Sequence, residues 1–546
     1  MKVETKFTLA VFVLAALWLL ASVPAPGFIL ESDDQGYQMA LGAAVAAGHL
    51  PGFQAITQYG PFVAFASWIA LVLSGNAGGE MVLDALGYAA AIALAARLIA
   101  RDGGRGLAML GALALLALFP RYYKWYYWLL PLLGLGFARA WQAGARGPAM
   151  LLGWGASVGM ACLFRYDLGV QGVVFGAIAI AAADWAHHRR LLGRRIGLFV
   201  AASAVLPVGY VGLITLASGT AQAGLFLHSI VSGFVDTVEY YRIAPLPAAE
   251  GIGGSAAWFL SLAQIGVPLT EAAACLPGLL QWRRDGGMDR RGYALFTAGL
   301  AGLGVFPQAL HRAEIQHLLQ VIPPFVIALA LLIAAAWRAR ARLDGLALAA
   351  MVLIMALARP GAGMDLGSPW RNQPRLWHAI AALPASRPQE PLAALALAIR
   401  RLTPPGARVF LMLSPTPMPL PFFARRAQPG LFPTYEPGMF AGPVWRAANC
   451  AALLRHPPDF LVVAVHPAAY EPPAYAALGI PALPAPFIPG LIAAWTRRYT
   501  RVLYENGTYR LLAPTEAASA PLSCSAILAV GAHAASDPAA QNGKPE

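Results

Sequence analysis

Long apolar runs separated by short polar ones fill the first two thirds of the chain. They lie near residues 7–28, 56–75, 81–100, 106–119, 126–141, 149–164, 168–186, 196–217, 256–281, 293–310, 318–337 and 343–358. The hydrocarbon core of a bilayer is roughly 30 Å thick, and a helix needs about 20 mostly apolar residues to cross it. Backbone polar groups in lipid must be paired within their own segment, so the pattern predicts a polytopic α-helical membrane protein of about 11–12 spans. Phe62 to Ser74 supplies only about 13 clean apolar residues, so one of 56–75 and 81–100 is expected to dip or lie in the interface, leaving eleven crossings. The first run, Phe7 to Val23, follows Lys2 and Lys6 like a signal peptide. It continues into Pro24, Pro26 and an acidic stretch without a small-residue cleavage site, which favours an uncleaved span.

Beyond residue 360 the long apolar runs stop and proline rises. Val409 to Leu413 and Phe460 to Val465 are β-branched or aromatic runs bounded by proline. Tyr499 to Tyr504 and Thr508 to Leu512 flank Asn506-Gly507, the signature of a tight hairpin. Trp445 to Leu454 reads as a helix between them. The expectation is a transmembrane domain over 1–360 with its first outer loop at 29–60, then a small α/β domain over 388–514. The Ala-, Pro- and Ser-rich tail 515–546 is expected to be disordered. There is no internal repeat and no nucleotide-binding glycine pattern.

Composition agrees with the pattern: 58% of residues are hydrophobic and 12% charged, against about a quarter charged in soluble domains. The net charge of +13 would suggest nucleic acid in a soluble protein. Here the basic residues sit in short loops, where they report topology, and no nucleic-acid partner is expected. Arg139 with Arg146, His187 to Arg195, Arg283 to Arg291 and Arg338 to Arg342 mark cytoplasmic loops. The segments 29–60, 120–125, 164–168, 218–255 and 311–317, and everything after 360, then face outward, with the chain in a cell (inner) membrane and its C-terminal domain extracytoplasmic. Cys162 and Cys275 lie in apolar stretches as small core residues, while Cys450 and Cys524 are able to pair in an oxidising compartment.

Candidate chemistry gathers on the predicted outer face. Glu31, Asp33 and Asp34 follow the first span within four positions. A carboxylate at the bilayer centre costs about 2.5–3.5 kcal/mol, so the trio belongs at or beyond the interface, as a solvated helix cap or as a general base. Downstream, Gln58, Tyr59, Gly60 and Pro61 form a break leading back into lipid. Arg121 and Lys124 lie in RYYKWYYW, Arg165 and Asp167 interrupt FRYDLG, and Arg312, Glu314 and His317 open a span in HRAEIQHLLQ. Taken singly, each cation reads first as an interfacial residue beside an aromatic belt. Their convergence on one face suits a phosphate-bearing substrate, whose developing charge guanidinium and ammonium groups stabilise.

These residues also carry a resemblance. SDDQGYQMALGAAVAAGHLPGFQAITQYGPF resembles the first outer loop of bacterial GT-C glycosyltransferases of the protein-mannosyltransferase-like superfamily, where an Asp-Glu-Gly type motif is followed by Tyr-Gly-Pro. FRYDLG is similar to their Arg-x-Asp-x-Gly element, and HRAEIQHLLQVIPP to their Arg-x-Asp-x-x-His segment before a Pro-Pro helix start. PPGARVFLML, RHPPDFLVV and YTRVLYENGTYRLL are similar to the α/β domain these enzymes carry, so the likeness spans nearly the whole chain. Gln35 stands where the family often has Glu, and Glu314 replaces Asp, which leaves Asp33 and Asp34 as alternatives. The resemblance implies inverting sugar transfer from a polyprenyl-phosphate-linked donor to a glycan, lipid or protein acceptor outside the cytoplasm. It implies Asp34 or Asp33 as base, and a substrate-binding set of Arg312, His317, Arg165, Lys124, Glu31 and Tyr59, with the lipid tail between helices among membrane lipids. No metal site is called; the three carboxylates leave room for a divalent cation, but no ligand spacing compels one.

Two other classes compete. A secondary transporter or flippase of an envelope precursor would share the spans, but such folds usually show internal repeats and midplane charges. A non-catalytic scaffold would use the outer domain for partners; the intact acidic cluster and Arg312 weigh against it.

Overall fold

The computed structural model describes residues 3–21, 33–57, 59–74, 78–118, 124–185, 188–240, 254–311, 315–338, 391–413, 420–433, 442–465, 495, 497–515 and 523–525. In chain order the helices are α1 Val3–Ala21, α2 Asp33–Ala46, α3 Pro61–Ser74, α4 Gly78–Gly103, α5 Arg105–Ala117, α6 Trp125–Gln142, α7 Pro148–Phe164, α8 Tyr166–Asp184, α9 Leu192–Tyr240, α10 Gly254–Asp285, α11 Arg290–Val305, α12 Pro307–His311, α13 Ile315–Gln320 and α14 Ile322–Arg338. They are followed by α15 Pro391–Leu402, α16 Leu420–Ala424 and α17 Pro443–Arg455, and by strands β1 Val409–Met412, β2 Phe460–Ala464, β3 Arg501–Glu505 and β4 Tyr509–Ala513. This is a polytopic helical membrane protein with a small C-terminal sheet region. Among the described residues six helices are long and apolar enough to cross a bilayer, and shorter apolar helices accompany them. The expected span at 343–358 lies outside the described residues.

The chain divides into two compact units. The first takes residues 1–24, 79–213 and 242–378; the second takes 25–78, 214–241 and 379–546.

In the first unit, helices approach closely where glycine removes the side chain, as packing within lipid requires. A Cβ on Gly299 of α11 would lie 2.2 Å from the Glu271 carbonyl oxygen of α10, and one on Gly302 would lie 2.2 Å from a Glu271 carboxyl oxygen. A larger residue at 299 meets backbone and forces these helices apart, while one at 302 requires the Glu271 side chain to move. The aromatics opening α6 are used for packing rather than as an interface belt: Trp125, Tyr126, Tyr127 and Trp128 are all buried. Trp128 meets Tyr88 of α4 edge-on at 5.0 Å and donates its indole N–H to the Leu319 carbonyl at 2.9 Å. The local pattern shows aromatic residues at a helix start; the neighbours that cover them come from distant segments.

In the second unit, α2 and α3 form a tight hairpin, with Gly42 so close to α3 that a Cβ would fall 2.4 Å from Ser67 Oγ. Each has 14 residues, about 21 Å of helix, which is less than the hydrocarbon core. The sheet order is β1-β2-β4-β3, with β1 and β2 parallel and the other pairs antiparallel. A parallel pair needs a crossover, and α17 lies within it. The Asn506-Gly507 turn forms as its sequence predicts: Gly507 takes φ +80°, and Asn506 Oδ1 accepts from the Thr508 and Tyr509 amides at 3.2 and 2.9 Å. The core mixes chain segments that the sequence keeps far apart, uniting Ile56 with Phe410, Leu431, Trp445, Leu461, Trp495 and Leu512.

Segment 218–255, expected as an outer loop, stays helical to Tyr240 after a break at Gly219 (φ 83°, ψ 170°). Beyond the break, Gln222 Nε2 donates to the Gly52 and Phe53 carbonyls at 2.9 Å. His228 stacks on Trp445 at 5.3 Å, and the Trp445 indole N–H donates to Ser232 Oγ at 3.1 Å. These partners explain why a stretch outside the expected span keeps its helix. Cys450 and Cys524 form a disulfide with their Cα atoms 5.9 Å apart, which ties one point of the C-terminal stretch to α17.

Candidate functional site

The acidic loop belongs to the second unit. Helix α2 begins at Asp33, so Asp33 and Asp34 occupy its first turn, where the unpaired N–H groups and the helix dipole favour negative charge. Their side chains, and all of Glu31, lie outside what is described. One turn on, Tyr37 is buried and its hydroxyl donates to Thr57 Oγ1 at 3.0 Å. Thr57 Oγ1 also accepts from the Tyr59 amide at 3.0 Å, and the Tyr37 and Tyr59 rings stand 5.5 Å apart. The two halves of the loop, some twenty positions apart in sequence, thus meet at a buried Tyr37–Thr57–Tyr59 junction. Ile56, at the same turn, donates its amide to the Leu431 carbonyl at 2.6 Å, which fixes the junction to the C-terminal domain. Thr57 was not singled out in the sequence; a threonine two residues before a Tyr-Gly-Pro break gives no signal until its partner is known.

Beside this junction the second unit has a cleft of about 290 Å³ between α2 and the 421–433 segment, reached by His49, Gln54, Arg426 and Gln428. Burial, with His456 nearby as a further cause, holds the His49 imidazole below its usual pKa of 6.5.

The cationic residues belong to the first unit. Arg165 caps α8 at an extended residue between α7 and α8. Its Nε donates to Asp167 Oδ1 at 3.1 Å and its Nη2 to Asp167 Oδ2 at 3.4 Å. Its guanidinium lies over the Tyr127 ring, 5.8 Å from the centroid. The side chain of Gln308, on α12, donates to the second Asp167 oxygen. Lys124 is buried, and its carbonyl accepts from the Tyr127 amide at 3.0 Å. His317 is half-buried on α13, two residues before the Leu319 carbonyl that holds Trp128. The structure therefore brings Lys124, Arg165 and Asp167 together at the start of α6 with the chain segment bearing His317. Arg312 and Glu314 lie outside the described residues. Gln308 was missed: it reads as a polar residue ending an apolar run, and only the tertiary fold shows that it holds Asp167.

A cleft of about 490 Å³ opens among α6, α7, α8 and α11, lined by Leu130, Trp154, Val158, Leu168, Phe175 and Val305. Its walls include Ala161 and Leu168, each within about one helical turn of Arg165. The arrangement is a mainly apolar slot whose α7 and α8 walls lead to the turn that carries Arg165. Among the described residues no three His, Cys, Asp or Glu side chains gather where they could hold a metal ion; the carboxylates named for a divalent cation are not among those with described side chains.

The apo structure of ArnT from Cupriavidus metallidurans aligns with a TM-score of 0.50 at 17% identity, covering 95% of this chain and 100% of that one. The fold of this chain is that of this ArnT. The same ArnT bound to undecaprenyl phosphate aligns at 0.48 with 18% identity over 94% and 99% of the two chains. The Archaeoglobus fulgidus oligosaccharyltransferase complex with Zn and sulfate aligns at 0.42 with 13% identity over 83% and 68%. No family model and no curated protein matches the chain. The likeness covers nearly the whole chain and is one of fold, which leaves activity and substrate to be argued from the site.

Proposed function

We propose that this chain is a GT-C membrane glycosyltransferase that moves a sugar from a polyprenyl-phosphate-linked donor to a hydroxyl acceptor on the extracytoplasmic side. The observation that carries this reading is the Tyr37–Thr57–Tyr59 junction, which joins the two halves of the loop motif directly behind the acidic first turn of α2. A catalytic carboxylate has to be held in position to act, and a fixed junction one turn after the acidic residues supports that role. The solved ArnT with undecaprenyl phosphate shows that protein with such a carrier lipid. In this chain the apolar slot below Arg165 suits a polyprenyl tail and the guanidinium suits its phosphate. The Cys450–Cys524 disulfide supports an oxidising surrounding for the C-terminal domain, in keeping with an extracytoplasmic site.

In the reaction, Asp34 or Asp33 takes the proton of the acceptor hydroxyl as its oxygen attacks the anomeric carbon. The bond from that carbon to the phosphate oxygen breaks on the opposite face, the configuration inverts, and polyprenyl phosphate leaves with the electron pair. Arg165, Arg312, Lys124 and His317 stabilise the charge that develops on the phosphate, while Glu31 and Tyr59 border the sugar.

The test is lipid-linked sugar consumption by purified Asp34→Asn and Asp33→Asn. Asparagine keeps the shape and removes the basicity, so the variant at the true base should fold, bind donor and lose about 10²–10⁴-fold in turnover. Near-normal transfer by both variants at saturating donor would leave the acidic turn as a helix cap and remove the chemical core of the assignment.

A further inference from the structure

At the end of the first unit away from Arg165, arginines from three helices hydrogen-bond to one aspartate, two at its carboxylate and one at its carbonyl. Asp102, at the end of α4, is 4% exposed. Its Oδ2 accepts from Arg139 Nη1 of α6 at 2.8 Å, and its Oδ1 accepts from Arg290 Nε of α11 at 3.1 Å. Arg338 Nη1 of α14 donates to the Asp102 carbonyl at 2.9 Å, and Arg290 Nη2 to the Arg101 carbonyl at 3.2 Å. Arg101 and Arg291 adjoin Asp102 and Arg290 in the chain and add to the positive charge of this end. Three guanidinium groups therefore converge on Asp102, whose side chain is buried. The neighbouring Asp289 is committed to capping α11, accepting from the Gly292 amide at 2.6 Å.

The positive-inside bias explains arginines in loops, each solvated by itself. It does not explain why arginines far apart in sequence are drawn onto a single anchor, with Arg139 buried in the bundle. With three arginines bonded to one aspartate, the charge of this cluster is net positive. Arg139 is consumed by Asp102, whereas Arg290 is 53% exposed and Arg291 and Arg338 are exposed, so donors remain for an external anion. The flank is apolar and lipid-facing: Trp337, beside Arg338, is 65% exposed, and Leu110 and Leu113 of the adjoining α5 are 62% and 56% exposed. A cationic fork beside an apolar wall at helix-end depth matches a phosphate that carries acyl chains.

We infer that the Asp102 arginine cluster is a binding site for the headgroup of an anionic phospholipid, with the acyl chains lying along α5 and α14. It is separate from the proposed sugar-transfer site. Binding would offset the net positive charge and clamp α4, α11 and α14 to one another.

Native mass spectrometry of the detergent-purified chain with added cardiolipin, phosphatidylethanolamine or inorganic pyrophosphate tests this. Charge-assisted phosphate contacts predict about tenfold higher occupancy by cardiolipin than by phosphatidylethanolamine. The double variant Arg290→Gln with Arg338→Gln should lower cardiolipin occupancy about fivefold or more, whereas Arg283→Gln with Arg284→Gln removes the same charge nearby and should leave it within about twofold. If the double variant does not fold, Arg291→Gln alone, which touches no bond to Asp102, should lower occupancy in the same direction. Equal losses in both double variants, no lipid preference in the unaltered chain, or displacement of cardiolipin by pyrophosphate would each overturn the site.

Discussion

The two ends of the helical unit use arginine in opposite ways. Helix α6 has Lys124 at its start and Arg139 near its finish, about 22 Å apart along the axis. At the Lys124 end, Arg165 meets a carboxylate two residues away and an aromatic face, and that carboxylate also accepts from a glutamine side chain. Arg165 and Asp167 are 17% and 16% exposed, so the pair is within reach of an incoming anion. At the Arg139 end, guanidinium groups outnumber carboxylates and the central pair is buried, at 4% exposure on both sides. The comparison teaches that exposure separates a pair able to exchange partners from one that locks helices. Under the proposed function, a donor phosphate arriving at Arg165 would replace Asp167 as its partner, with Gln308 still bonded to Asp167. At Asp102 the protein itself supplies the anion, and removing it strands a buried cation.

Breaking the locked pair should have the largest effect. Asp102→Asn leaves Arg139 buried without its counter-charge, and loss of one partner of such a pair costs about 3–5 kcal/mol. The thermal midpoint of the purified protein should fall markedly. An unchanged midpoint would mean that both ends are equally solvated and the contrast is empty.

Arg165→Ala comes next and should act on chemistry more than on stability. Losing a charge-assisted contact worth about 1.5–3 kcal/mol predicts about a 10- to 100-fold drop in kcat/KM for the lipid-linked donor. Arg165→Lys should fall between, since an ammonium cannot reproduce the fork. If kcat/KM stays constant while the midpoint drops as far as in Asp102→Asn, Arg165 is a structural lock as well.

The smallest effect belongs to Arg284→Gln. Arg284 donates to Asp285 at 2.8 Å, as short a pair as Arg139 with Asp102, yet its side chains are 78% and 45% exposed. Solvent screens such pairs almost completely. Neither midpoint nor transfer should move beyond measurement error, and a loss matching that of Asp102→Asn would show that distance rather than burial decides.

The sequence by itself determined what depends on local pattern and solvent. Apolar runs too long for anything but lipid gave the helical class, the Asn506-Gly507 pair gave the β3–β4 turn, and the β-branched runs at 409 and 460 gave β1 and β2. The acidic residues after the first span and the interrupted FRYDLG run were also visible there, because charge beside lipid stands out residue by residue. Tertiary structure alone decided which of these elements meet. Nothing near Thr57 announces Tyr37, nothing near Gln308 announces Asp167, and the helix past Gly219 is explained only by Trp445, Gly52 and Phe53. The joining of residues 25–78 and 214–241 with the C-terminal sheet has no local signature either. The physical reason is range. Hydrophobic periodicity and turn preference act over a few residues and are written in composition, whereas a hydrogen bond or a buried ion pair between distant segments depends on where the folded chain brings them.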